Sequence, residues 1–132
     1  MEQNPGKQPV GLGRRSSGVR LTRFVEIRCY TLKPATRAAF HGLLVEQSVP
    51  MLHRWQVDVV ACGPSAHDDN SYYLIRAYAS LAERQQSQDA FYSSNEWRRG
   101  PRQAIVDCIE SDMSVVIEMD ADTIDGLRRA PG

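Results

Sequence analysis

The chain is poor in cysteine, and none of its three thiols stands where chemistry commonly uses one. Cys29, Cys62 and Cys108 are odd in number and far apart, with no C-x-x-C and no Cys/His pair at zinc spacing. Each lies in an apolar stretch, so each reads as a reduced core thiol, and the setting expected is the reducing cytoplasm. No apolar run approaches the roughly 20 residues that a helix needs to span a bilayer. The sequence carries no Gly-rich phosphate loop, no G-x-S-x-G elbow and no H-E-x-x-H. No cofactor and no metal are therefore expected. Neither sign of charge is in excess, with 16 basic and 16 acidic side chains.

That balance is unevenly laid out. Residues 1–23 hold Lys7, Arg14, Arg15, Arg20 and Arg23 against Glu2, whereas the remainder is mildly acidic. A mildly acidic folded part is a poor partner for a phosphate backbone, so nucleic acid is not expected as a ligand. Residues 1–22 are rich in Gly, Ser, Arg and Pro and have no hydrophobic period. They lack the apolar h-region of a secretory signal and read as a disordered leader. The remaining length suits one domain over 23–118 and a C-terminal tail over 119–132 without clear period.

What is present is a clear order of elements. Residues 24–30 alternate as a strand, with Phe24, Glu26, Arg28 and Tyr30 on one face and Val25, Ile27 and Cys29 on the other. Pro34 suits the first turn of a helix whose stripe is Phe40, Leu43, Leu44, Gln47 and Met51, with a kink or restart at Pro50. A second strand covers 57–63 and a third 72–78, the latter placing Tyr72, Leu74, Arg76 and Tyr78 on one face. Ser80-Leu-Ala-Glu83 has the form of a capping box, and Ser93-Ser-Asn-Glu96 repeats it ahead of Trp97. Gly100-Pro101 interrupts that second helical segment, and 113–118 is the last strand.

The order β-α-β-β-α-β is that of an α+β, ferredoxin-like unit, with the third strand between the first two in one antiparallel sheet. Both helices would cover one face. The other, expected to carry Phe24, Tyr30, Tyr72, Leu74 and Tyr78, would need the sheet of a second chain over it. The expected assembly is a homodimer.

Three stretches resemble the NIPSNAP family of dimeric α/β-barrel proteins. Val25-Glu-Ile-Arg-Cys-Tyr-Thr-Leu-Lys-Pro34 is similar to the family's opening E-x-R-x-Y-x-L-K-P, followed by the helical aromatic Phe40. Val49-Pro-Met-Leu52 is similar to the end of its first helix. Ser80-Leu-Ala-Glu-Arg84 leading to Ala90-Phe-Tyr-Ser-Ser-Asn-Glu-Trp97 is similar to its S-L-x-E-R and A-F-x-x-x-x-E-W segments. Ala35 departs from the Gly that many relatives carry after the Pro, and Gly100-Pro101 breaks a segment more regularly helical in relatives. The resemblance implies two chains closing a dimeric α/β barrel and a function that is unassigned in the family.

The residues that stand out chemically are Glu26, Arg28 and Arg76, on one face of the two central strands. Ringed by Tyr30, Tyr72 and Tyr78, they read either as a pocket for a small anion or carbonyl, or as an ion pair fixing strand register. His41 joins them as a possible pocket base, or as a second-layer residue beside Phe40. His53 suits a helix C-terminus, and His67-Asp68-Asp69 reads as a loop tip. Two functions follow: a small-molecule-binding homodimer, or a cofactor-free monooxygenase-like or isomerase-like enzyme in which Arg28, Tyr30 and His41 orient an enolate.

Overall fold

The computed structural model describes residues 21–129; the leader expected over 1–22 falls almost wholly outside them. Four strands form one antiparallel sheet in the order β2-β3-β1-β4. They are β1 (Thr22–Leu32), β2 (Asp58–Pro64), β3 (Ser71–Tyr78) and β4 (Ile109–Asp120). β1 lies between β3 and β4, and its register places Glu26 directly opposite Arg76 and Tyr30 opposite Tyr72.

The first helical stretch runs without a break from α1 (Arg37–Leu43) through a π turn (Leu44–Ser48) into α2 (Val49–Arg54). Pro50 follows directly on the π turn, where the widened coil accommodates its ring and the N–H that it cannot supply. The wider π turn carries one extra residue and moves the buried stripe along by one. Ser48 and Val49 are therefore buried, whereas Gln47, expected in the stripe, faces solvent.

α3 (Leu81–Ser93) begins at the foreseen capping box: Ser80 accepts from the Glu83 amide at 3.0 Å, and Glu83 takes the Ala79 amide. The second box is framed one residue later than its spacing suggests. Ser94 caps α4 (Asn95–Arg99), while the Ser93 hydroxyl donates to the Asp89 carbonyl at the end of α3. Gly100 and Pro101 then separate α4 from α5 (Arg102–Cys108). Trp97 packs on Phe91, their ring centroids 5.4 Å apart.

One expectation is reversed. The face bearing Tyr30, Tyr72, Leu74 and Tyr78 is the helix-covered one, packed with Phe40, Leu44, Leu52, Phe91 and Ile105 in the main core. Alternation separates the two faces of a strand but says nothing about which side the helices take. The opposite face carries Val25, Ile27 and Cys29, and β4 lays Ile117, Val115 and Met113 opposite them in turn. The tail is not featureless either. Asp120 caps a short α6 (Ala121–Gly126), and Ile124 seals one end of this second face against Val25, Val60 and Ala77. Asp58 fastens that end, accepting from Arg23 and Arg128.

Ala35, after Pro34, holds φ 66°, a left-handed conformation that strains any residue with a Cβ. The Gly of many relatives would relieve it. Ala35→Gly is expected to raise stability by about 0.5–1 kcal/mol, read as a higher urea midpoint at constant m-value; a lower midpoint would count against this account.

Candidate functional site

Glu26 is the most heavily bonded side chain in the molecule, with 0% exposure. Its Oε1 accepts from Arg76 Nε at 2.9 Å and Nη2 at 2.6 Å. Its Oε2 accepts from Arg84 Nε at 3.1 Å and Nη2 at 2.6 Å, and from Gln88 Nε2 at 2.9 Å. Arg28 Nη2 stands 3.8 Å from the same oxygen and donates from Nε to Ser114. Arg76, also 0% exposed, sends Nη1 to the Tyr92 hydroxyl at 2.7 Å. Gln88 further donates to Tyr78 at 3.2 Å.

Arg84, Gln88 and Tyr92 follow one another at i, i+4, i+8 on α3, so this helix turns a polar stripe to the sheet. Those three were not among the residues singled out from the sequence. The four-residue spacing of polar side chains after the capping box is the signal that points to them.

Burial by itself would raise the Glu26 carboxyl pKa, but the Arg76 charge and the donors of Gln88, Arg84 and Arg76 outweigh it. The group is held at about 2 instead of its ordinary 4.5. Burial works against the charge on Arg76, yet Tyr92, Tyr78 and Glu26 hold it above its usual value. Burial also pushes the Tyr30 hydroxyl up to about 12, with Tyr92 adding to the rise and Arg28 opposing it.

His41 lies apart from this cluster. Its Nδ1 is 2.5 Å from the Tyr72 hydroxyl, which donates on to Cys62 Sγ at 3.8 Å. Burial raises the Tyr72 and Cys62 pKa values alike. Phe40 separates Tyr30 from Tyr72, with centroids 5.1 and 5.0 Å from the two rings. The sequence candidates thus fall into two groups, Glu26, Arg28, Arg76 and Tyr78 around one carboxylate and Tyr72 and His41 beside Phe40, with Tyr30 touching both through Arg28 and Phe40. Both lie on the helix side.

A large hollow lies on the other face. A cavity of about 810 Å³ is walled by Cys29, Tyr73, Pro64, Ala66, His67, Met113 and Arg129. Tyr30 and Tyr72 border it, although their rings belong to the helix-side core. Among the described residues no His, Cys, Asp or Glu side chains are grouped for a metal ion, and no helix is long and apolar enough to cross a membrane.

A four-stranded sheet with this order, matched by the NIPSNAP family model over residues 25–117, decides the relationship. The chain belongs to the NIPSNAP family. Solved members superpose on it: a NIPSNAP family protein of unknown function from Agrobacterium tumefaciens gives a TM-score of 0.68 at 21% identity, covering 83% of this chain and 92% of its own. An uncharacterised NIPSNAP domain protein from Burkholderia xenovorans gives 0.62 at 19%, covering 71% and 91%. A putative antibiotic biosynthesis monooxygenase from Nitrosomonas europaea shares the fold more distantly, at 0.50 and 17%, covering 75% and 90%. No curated protein matches. These NIPSNAP relatives share the fold and have no assigned reaction.

Removing Glu26 leaves Arg76 charged and dry. Glu26→Ala is expected to cost about 3–5 kcal/mol, and Glu26→Ala/Arg76→Met to recover much of it, because Arg84 and Arg28 can turn to solvent. Between about pH 4.5 and about 2 the unfolded chain binds the proton that native Glu26 refuses, so stability falls as pH drops through that window. Chemical denaturation across pH should show a shallower acid limb in Glu26→Gln; an identical limb would place the charge coupling elsewhere.

Proposed function

We propose that the protein is a homodimer binding a small, largely apolar molecule between its two sheets. The observation that carries this reading is the row Met113, Val115 and Ile117 on β4, exposed to 68%, 51% and 39%, beside the cavity walled by Cys29 and Tyr73. An apolar strip on the side away from the helices is costly in water, and a second copy applied by a two-fold axis would cover it with the same strip. The cavity then becomes an enclosed chamber of ordinary ligand size. Cys29, Cys62 and Cys108 carry no disulfide, which suits a reducing cytoplasm.

The Glu26 cluster takes the structural role in this reading, since its carboxylate is saturated by protein donors. The enzyme alternative has less support. Arg28, Tyr30 and His41 do not converge on one hollow, and His41 is engaged by Tyr72.

Light scattering at micromolar concentration should give twice the 14.8 kDa chain mass. Val115→Asp, which places a carboxylate on the covered strip, should give the chain mass. Cys29→Trp should keep the dimer yet abolish binding of a hydrophobic naphthalene-sulfonate dye. A monomeric parent, or unchanged dye binding in Cys29→Trp, would defeat the proposal.

A further inference from the structure

A concentration of positive charge lies where α4 meets α5. A hollow of about 540 Å³ there is lined by Tyr92, Asn95, Arg98, Arg99 and Arg102, with no carboxylate among them. The Gly100-Pro101 break builds it. A Cβ on Gly100 would stand 2.5 Å from the Glu96 carbonyl oxygen, so only glycine lets the chain turn this tightly. Pro101 cannot continue α4 but starts α5, and the turn brings guanidiniums from two short helices around one space.

These groups lack protein partners. Among the described residues none of the three arginines forms an ion pair, whereas Arg54 and Arg128 do. Tyr92 supplies a neutral donor: its oxygen accepts from Arg76 Nη1, leaving its own O–H proton without an acceptor among the described residues. Behind Tyr92 the single carboxylate of Glu26 faces Arg76, Arg84 and Arg28, so positive charge is in surplus there as well.

The geometry points to an anion site that takes the phosphoryl group of a small soluble phosphate ester. Guanidinium forks match phosphate oxygens two at a time, and the Tyr92 O–H and Asn95 amide add directed neutral donors. Three arginines offer more charge than one carboxylate would neutralise, which favours a dianion. The lining is mostly polar, the Tyr92 ring being its one aromatic surface, without the broad apolar fringe that a lipid headgroup brings into contact. The site is separate from the sheet-face chamber and does not require a dimer.

The test is calorimetric titration of the full chain with inorganic phosphate and with phenyl phosphate at constant ionic strength. Both should bind, once per chain. Arg98→Ala/Arg102→Ala should weaken binding by at least about tenfold, one decade per 1.4 kcal/mol. Arg102→Lys, which keeps the charge but loses the fork, should weaken it severalfold. Val115→Asp, which breaks only the proposed dimer, should leave it unchanged. No binding at millimolar concentration, undiminished binding in the double variant, or full retention in Arg102→Lys would overturn the inference. So would capture by phosphatidic-acid vesicles without binding of phenyl phosphate.

Discussion

The Glu26–Arg76 pair is the contact on which the arrangement depends. It bridges β1 and β3 at one register position, and through Arg84 and Gln88 it ties α3 to both strands. A slip of either strand by one residue would turn its charge to the opposite face and leave both groups unpaired, at several kcal/mol apiece. α3 buries Phe91 alone among its own residues. Its attachment is therefore largely polar, and directional hydrogen bonds set its rotation where an apolar ridge would allow several.

This explains how the two faces of the sheet divide their work. The helix side is saturated: aromatic rings fill it and every oxygen of its central carboxylate is taken. A binding role at that carboxylate would have to displace protein donors from Glu26. The far side is closed at one end by Ile124 and uncovered along β4. Free surface and apolar character coincide there, which is why the binding reading rests on that side.

Much of this is legible from residues alone. Alternation over 24–30 and 72–78 is enough to put Glu26 and Arg76 on one face, and the charges then require pairing. Pro50 signals the helix restart, and the order of elements with a right-handed crossover puts the third strand between the first two. Other features depend on information that periodicity does not carry. Which face meets the helices follows from the handedness and length of the connections. The π turn shifts a stripe by one residue with no sequence mark beyond Pro50, so Gln47 reads as buried when Ser48 is. Ser93 and Ser94 are chemically equal as caps, and only the end of α3 decides between them. α6 is six residues long, too short to show a period.

The position of β4 has a consequence for how the chain comes to be folded. β1 is an interior strand, yet its outer neighbour is the last of the four described strands in chain order: Thr22 hydrogen-bonds to Glu118, 96 positions later. Of the four strands β1 emerges first and can pair with β3 once the β2–β3 hairpin has been made, but its other row of amides and carbonyls waits for β4. For that interval an apolar strand presents an open edge, the kind of surface that recruits other unfinished chains. The sheet is therefore complete only once β4 has left the ribosome, and the step that closes the fold waits for that strand.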